Sequence, residues 1–346
     1  MELKEVTEFL ARYDGEPLAF MEVCGTHTAA ISENGIPSML SPKIKLISGP
    51  GCPVCVTIAS YIDRLCELAL TPNTCVVTFG DMIRVPGSEH ALKDIKSLGG
   101  RIHMVYSPFE IIELAKNDEE TNFVFAAVGF ETTTPIYALL IDKIIENDIK
   151  NIKLLTALKT MPSAIESLCN GNNKIDGFIA PGNVSVITGA NAYKPIAEKY
   201  QLPFVVSGFD GKELLATIYA LVKLKGKGEV KNLYKSAVTD KGNTKAQEIV
   251  NKYFEPCDAY WRGMGCIKGS GMALRREYSM HDAGSYNLCE DSFINKACSC
   301  GDVITGSKSP NECPLFKKVC TPENPQGACM VSNEGSCFHY FINDRR

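Results

Sequence analysis

The 346-residue sequence lacks any apolar run that approaches the roughly 20 residues of a membrane-spanning helix. Its polar N-terminal stretch lacks the apolar segment of a signal peptide. A basic excess is also missing, since 36 Lys and Arg residues face 40 Asp and Glu residues and give a net charge of −4. Nucleic-acid-binding proteins usually carry a basic surface. We therefore expect a cytoplasmic protein that binds neither a membrane nor nucleic acid.

Two common sequence signatures are absent as well. Neither GxxxxGKS/T nor GxGxxG occurs, which argues against a phosphate-binding loop for nucleotides. A single CxxC pair occurs, at Cys52 and Cys55, and the five histidines are scattered. A zinc site would usually need a second CxxC or a pair of histidines. We interpret the pair as a redox-active dithiol, while half of a zinc site or a chance pair remain alternatives.

Cysteine, in contrast, is abundant, with 15 residues in the chain. In a protein expected to be cytoplasmic, this number indicates metal or redox chemistry rather than structural disulfides. Six of the cysteines fall within the last 49 residues, at positions 298, 300, 313, 320, 329 and 337. Four thiolates satisfy an iron–sulfur cluster or a zinc ion, and the wide spacings favour a cluster.

One arrangement of this cluster has four cysteine ligands: Cys298, Cys313, Cys320 and Cys337. It leaves Cys300 and Cys329 as a second dithiol beside the cluster. Cys300 in place of Cys298 as a ligand is an open alternative at this point. A cluster would also stabilise a C-terminal region whose Gly, Cys, Pro and Asn content predicts no large apolar core.

Short apolar segments alternate with helix-like segments through the first two thirds of the chain. Such alternation predicts an α/β fold with parallel sheets and right-handed crossovers. We expect two consecutive blocks of four strands each, residues 17–117 and 118–226, followed by a third region, residues 227–346.

The unusual motifs all follow predicted strands: CGTHT (24–28), GPGCPVC (49–55), GDMIRVPGS (80–88), GFETTTP (129–135) and PGNVSVITG (181–189). In open α/β sheets, the loops at the carboxyl ends of the strands form the ligand-binding crevice. We therefore expect one cleft between the blocks to be lined by these side chains: Cys24, His27, Cys52, Cys55, Asp81, Arg84 and Glu131.

Several roles are open for these residues. Cys24 with His27 suits a thiolate and its base, or two metal ligands, and a simply buried cysteine is the plain alternative. Glu131 could be an acid that stabilises a helix N-terminus, and Asp81 with Arg84 a surface ion pair.

Five long stretches together resemble the HypD family of hydrogenase maturation factors. They span nearly the whole chain and occur in the family's order: FMEVCGTHT (20–28), GPGCPVC (49–55), GDMIRVPGS (80–88), GFETTTP (129–135) and CTPENPQGACMVSNEGSCFHYF (320–341).

The resemblance implies two Rossmann-like lobes and a third domain with a 4Fe-4S cluster, formed by residues 227–346 and the N-terminal helix 1–16. By analogy with ferredoxin:thioredoxin reductase, it implies that Cys298 is a cluster ligand and that Cys300 pairs with Cys329.

The resemblance also implies a function. With the small partner HypC, such a protein assembles the Fe(CN)2(CO) unit for the large subunit of NiFe hydrogenase, and HypE donates the cyanide. Cys24 would hold the iron together with a HypC cysteine, and His27 would orient or deprotonate it. Cys52 and Cys55 would supply reducing equivalents or a further ligand, with electrons from the cluster. A cluster-dependent disulfide reductase and a zinc-stapled interaction protein are the competing functions.

Overall fold

The computed structural model describes residues 3–171, 174–288 and 297–343, and they form an α/β fold with two sheets. The strands are β1 (Leu18–Glu22), β2 (Ile44–Ser48), β3 (Thr74–Thr78), β4 (Ile102–Met104), β5 (Asn122–Gly129), β6 (Ile152–Lys159), β7 (Gly177–Ala180), β8 (Phe204–Val206), β9 (Val230–Asn232), β10 (Phe254–Trp261) and β11 (Gly265–Leu274).

The α-helices of the described residues are α1 (Leu3–Ala11), α2 (Gly25–Glu33), α3 (Ala59–Leu70), α4 (Leu92–Ile95), α5 (Glu110–Asn117), α6 (Thr134–Glu146), α7 (Met161–Cys169), α8 (Gly182–Thr188), α9 (Lys194–Tyr200), α10 (Gly211–Leu224), α11 (Thr244–Tyr253), α12 (Cys300–Ile304) and α13 (Ser336–Asn343). None of them is long and apolar enough to cross a bilayer.

The first sheet has the order β2-β1-β7-β8-β9 and is parallel throughout. The second sheet has the order β10-β11-β6-β5-β3-β4. Its strands β4, β3, β5 and β6 are parallel, whereas β10 and β11 form an antiparallel hairpin on the edge of β6. The α/β fold with mainly parallel sheets that the strand and helix pattern predicts is therefore confirmed.

The expected grouping of the strands needs correction. Strands β3 and β4 do not join β1 and β2 but pair with β5 in the second sheet, and β7 returns to pair with β1. The predicted boundary at residue 117 thus falls between two strands of one sheet. Local pattern shows that a segment is a strand, but the choice of its partner is a long-range packing decision that the pattern does not contain.

The third region also differs from expectation. Helix α1, which is predicted to belong to this region, packs on α10, with Phe9 and Tyr219 edge to face at 5.1 Å between ring centroids. The sequence pattern predicts that residues 230–254 are mostly helical, but they begin with β9 and are helical in α11. The hairpin β10–β11 was missed because its Gly, Cys and Pro residues hide the strand pattern.

One cluster of buried side chains connects the first sheet, the CPVC turn and the C-terminal cysteines. The hairpin contributes Trp261, whose ring stacks on Phe130 after β5 at 5.8 Å between centroids. The C-terminal segment is therefore packed into the interior between the sheets, and its position determines the surroundings of the candidate site.

Candidate functional site

Cys24 is the N-cap residue of α2 and lies two residues after Glu22, the last residue of β1. Its thiol accepts hydrogen bonds from the backbone N–H groups of His27 and Thr26, as expected at a helix N-terminus. The residue is only 7% exposed. Burial outweighs these bonds and raises the pKa of Cys24 to about 12, and the nearby carboxyls of Glu22 and Glu334 add to this effect. Cys24 is therefore a neutral thiol, and it would have to lose its proton to act as a metal ligand.

Glu22, the last residue of β1, was not identified from the sequence. Its side chain is 2% exposed, and its carboxyl accepts the Cys24 backbone N–H at 2.9 Å and the Thr28 hydroxyl at 2.5 Å. Burial raises its pKa to about 7, against the lowering effect of its hydrogen bonds. The one signal in the sequence is an acid at the end of an otherwise apolar strand, LAFME. Glu22 positions the turn that carries Cys24.

We predict that Glu22→Gln flattens the pH dependence of the free energy of unfolding. The raised pKa means that the folded protein prefers the neutral acid, so this group stabilises the fold below pH 4.5 and the contribution disappears as the pH rises through 7. Glutamine stays neutral, and the variant should therefore gain about 3 kcal/mol relative to the wild type between pH 4 and pH 8. Urea unfolding measures this difference, with the exposed Glu119→Gln as control. A constant difference across this range would contradict the prediction.

His27 lies in the first turn of α2 and is fully buried. Its Nε2 is 3.0 Å from the Gly208 carbonyl oxygen, and its ring lies 4.7 Å from that of Phe209. Burial lowers its pKa to about 4, so the ring is neutral at pH 7 and Nε2 carries the proton donated to Gly208. Among the described residues, Nδ1 has no hydrogen-bond partner. His27 thus connects the Cys24 turn to the loop after β8 and keeps one free acceptor nitrogen.

Cys52 and Cys55 form a disulfide, and both are buried. The turn that carries them lies directly on the Cys24 turn, where the Gly25 backbone N–H donates to the Gly51 carbonyl at 3.0 Å. The structure therefore brings the CPVC pair next to Cys24, because β1 and β2 are neighbouring parallel strands whose carboxyl ends meet.

Glu131 follows β5 and stabilises a helix N-terminus, although not that of its own helix. Its Oε1 accepts the Met161 backbone N–H at 2.8 Å at the start of α7. Burial raises its pKa to about 7, and its Oε2 has no hydrogen-bond partner within the described part of the chain. The carboxyl lines a cavity of about 300 Å³ that also includes Gln247 of α11.

Asp81 and Arg84 lie in a 3-10 turn after β3, Gly80–Arg84, near the C-terminal segment 328–334. The Arg84 guanidinium donates to the Val331 carbonyl at 3.5 Å. Burial raises the pKa of the Glu334 carboxyl, and the negative charge of Asp81 adds a smaller increase. Glu334 in turn lies against the Cys24 turn so closely that a Cβ at Gly25 would overlap the Glu334 Cβ. Glu334 is a second site residue that the sequence did not identify.

The other end of this segment lies at the disulfide. The Cys55 sulfur is 4.0 Å from the carbonyl oxygen of Ala328, and the next residue, Cys329, has its sulfur 3.3 Å from that of Cys300. Hydrogen bonds with Cys298 and Cys329 lower the pKa of Cys300, while the pKa values of both partners rise. Cys300 is therefore the most acidic thiol of the three.

The four predicted cluster ligands are neighbours, and none of them is in a disulfide. Burial is the largest cause of the raised pKa of Cys320, and the nearby thiols of Cys337 and Cys313 raise it further. The Cys313 thiol also contributes to the raised pKa of Cys298. In residues 3–171, 174–288 and 297–343, no group of three or more His, Cys, Asp or Glu side chains converges to hold one metal ion. A four-iron cluster bonds each cysteine to a different iron atom, so its donors need not meet at one point. Four adjacent soft thiols fit such a cluster.

Comparison with known proteins agrees with the motifs. The family model HypD, described as "Hydrogenase formation hypA family", matches residues 2–343. The chain is 38% identical to a hydrogenase maturation factor HypD of Azotobacter vinelandii over 338 residues, which cover 94% of this chain and 89% of the relative. It is 37% identical to a hydrogenase maturation factor HypD of Escherichia coli K12 over 354 residues, with 98% and 92% covered. A putative hydrogenase expression/formation protein of Methanocaldococcus jannaschii is 40% identical over 326 residues, with 93% and 91% covered.

Proposed function

Because the chain belongs to the HypD family of hydrogenase maturation factors, we propose that it is a redox-active scaffold for the Fe(CN)2(CO) unit of NiFe hydrogenase. It assembles and carries this unit with the small partner HypC, accepts cyanide from HypE in a transient complex, and serves the hydrogenase large subunit indirectly. The iron unit is the cargo, and Cys24 holds it together with a cysteine of HypC.

One observation carries this proposal: segment 328–334 contacts both the Cys24 turn and the Cys52–Cys55 disulfide. A soft thiol for iron, a disulfide and a cysteine-rich tail therefore belong to one packed unit. Iron binding at Cys24 would release the thiol proton, and the charges of the Glu22 and Glu334 carboxyls act on that sulfur. His27 holds the turn in place through Gly208.

The tail supplies the redox chemistry in this proposal. Cys298, Cys313, Cys320 and Cys337 would hold a 4Fe-4S cluster, which would supply single electrons. The contact between the Cys300 and Cys329 sulfurs suits a dithiol that exchanges with the Cys52–Cys55 disulfide. In this exchange one disulfide forms as the other opens, and two hydrogen atoms pass to Cys52 and Cys55.

We expect Cys337→Ser to remove the cluster. Serine keeps the size of the side chain but replaces a soft thiolate with a hydroxyl, which binds iron poorly. The variant, purified without oxygen, should lose the iron, the acid-labile sulfide and the brown colour of the wild type. Cys75→Ser, at a buried free cysteine of β3, is the matched control and should keep all three. A wild type that is colourless and contains zinc would contradict the redox scheme.

A second function is favoured by the Cys52–Cys55 disulfide beside the tail thiols, namely a cluster-dependent reductase for a disulfide of a partner protein. The two functions differ at Cys24, which a reductase does not need. Chemical analysis of the complex with HypC separates them. The scaffold requires iron and about two cyanides beyond the cluster, whereas a reductase contains cluster iron alone.

A further inference from the structure

The two sulfur atoms of the Cys52–Cys55 disulfide have different neighbours. The Cys55 backbone N–H donates to the Cys52 sulfur at 3.1 Å. The Cys55 sulfur lies 4.0 Å from the carbonyl oxygen of Ala328 in the tail. The two cysteines are therefore not equivalent towards an attacking thiol.

The surroundings of Cys52 suit the sulfur that leaves in a thiol–disulfide exchange. A leaving sulfur departs as a thiolate, and it leaves faster when that anion is stabilised. Cys52 begins a turn in which its carbonyl accepts the Val56 N–H at 3.2 Å, and its sulfur accepts the Cys55 N–H as it would at the start of a helix. Such a donor favours the anionic form of the sulfur. Cys52 is thus the better leaving group of the pair.

The tail thiols lie on the Cys55 side of the disulfide. Ala328, which contacts the Cys55 sulfur, immediately precedes Cys329, and the Cys329 sulfur lies 3.3 Å from that of Cys300. The cysteines of both pairs are buried members of one cluster of side chains. Exchange between the pairs therefore does not need a thiol from solution.

Cys52 lies at the other end of the CPVC loop, next to the candidate iron site. It follows Gly51, whose carbonyl accepts the Gly25 N–H at 3.0 Å. A Cβ at Gly51 would overlap the backbone nitrogen of Cys24, so the two turns are in direct backbone contact. The CPVC loop therefore connects the tail, at Cys55, with the Cys24 turn, at Cys52.

We propose that Cys55 is the sulfur that the tail attacks, that Cys329 is the attacking thiol, and that Cys52 is the thiol released first. This inference rests on the proposed function, in which the tail dithiol exchanges with the CPVC disulfide. It gives each CPVC cysteine its own role: Cys55 receives the tail, and Cys52 becomes a free thiol beside the Cys24 turn before the exchange is complete.

The exchange has two steps, and each is balanced. In the first, a bond forms between the Cys329 and Cys55 sulfurs, the Cys52–Cys55 bond breaks, and Cys52 receives its electron pair and the proton that Cys329 gives up. In the second, Cys300 attacks Cys329, the Cys329–Cys55 bond breaks, and Cys55 receives the electron pair and the proton of Cys300. The CPVC pair is reduced by two electrons and the tail pair is oxidised by two.

Two double variants test which sulfur is attacked. Cys52→Ser with Cys300→Ser leaves Cys55 and Cys329 as the single thiols of the two pairs. Cys55→Ser with Cys300→Ser is the matched control and leaves Cys52 and Cys329. Each full chain, purified without oxygen, is equilibrated in a glutathione buffer and quenched with acid, and the bridged peptides are quantified by mass spectrometry. We expect about tenfold more of the Cys55–Cys329 bridge than of the Cys52–Cys329 bridge, because thiols held in reach of each other react at a high effective concentration.

The wild type provides a measurement without any substitution. When the protein with its CPVC disulfide formed and its tail reduced is quenched with acid during the exchange, the mixed disulfide should join Cys55 to Cys329. The Cys300–Cys329 disulfide in the same sample shows that exchange has taken place.

A bridge at Cys52 that equals or exceeds the bridge at Cys55 would overturn the assignment, while the exchange in the proposed function would stand. Absence of both bridges, in variants that unfold at the same urea concentration as the wild type, would overturn it as well. A wild type that never forms the Cys300–Cys329 disulfide would contradict the exchange itself, and the inference with it. None of these results involves HypC or iron at Cys24, which Cys24→Ala tests separately.

Discussion

Replacing Cys24 by alanine is expected to abolish the retention of iron and cyanide beyond the cluster when the protein is purified with HypC. The substitution removes one sulfur atom and leaves the backbone N–H that donates to Glu22 in place. Helix α2 should therefore still begin at the same residue, and the cluster iron and sulfide should remain. Chemical analysis of iron, cyanide and sulfide in the same sample measures the effect.

The matched control for this variant is Cys66→Ala. Cys66 is also a buried free cysteine, but it lies in α3 with its sulfur near the His90 carbonyl and outside the Cys24 site. It should keep both the cluster and the additional iron. Equal losses in the two variants would mean that general destabilisation, and not the Cys24 sulfur, is responsible.

Gly51→Ala is expected to have the largest effect on stability among the substitutions at this site. A Cβ at Gly51 would lie 2.5 Å from the Cys24 Cα and 2.6 Å from the Val23 carbonyl carbon. These are backbone atoms of the neighbouring turn, so no side chain can rotate away, and the two turns must separate. We expect a loss of about 2–4 kcal/mol in the free energy of unfolding. Urea unfolding of the purified variant measures it.

Gly80→Ala provides the comparison, because Gly80 also follows a strand and neither glycine has a positive φ. Its Cβ would meet only the Met104 sulfur, at 3.3 Å, at the end of a flexible side chain. A loss of well under about 1 kcal/mol is expected there. Similar stabilities for Gly51→Ala and the wild type would show that the CPVC turn is not held against Cys24.

Local chemistry explains which elements were predictable. The sequence predicts strands at 44–48, 177–180 and 204–206, and β2, β7 and β8 have these bounds, because short apolar runs with Gly or Pro next to them define their ends. The motif PGNVSVITG resembles a turn and predicts a loop before a helix that begins at Ala190, yet residues 182–188 form α8. The assignment of β3 and β4 to the second sheet and of β7 to the first was not predictable from local pattern. The pairing of β7 with β1, for example, joins residues more than 150 positions apart.

The residues of the candidate site were also only partly predictable from the sequence. Cys24, the CPVC pair and the tail cysteines were identifiable because thiols are rare and their chemistry is specific. Glu22 and Glu334 were not, since an acid in a sequence usually belongs to the solvated surface. Their roles depend on burial, which arises only when the C-terminal segment packs between the two sheets.

The infrared spectrum of the complex with HypC tests the central claim most directly, because iron-bound cyanide and carbon monoxide absorb where protein does not. The wild-type complex should show bands of two cyanides and one carbon monoxide, and the same complex made with Cys24→Ala should show none. Bands that persist in the Cys24→Ala complex would contradict the assignment of Cys24 as the residue that holds the iron.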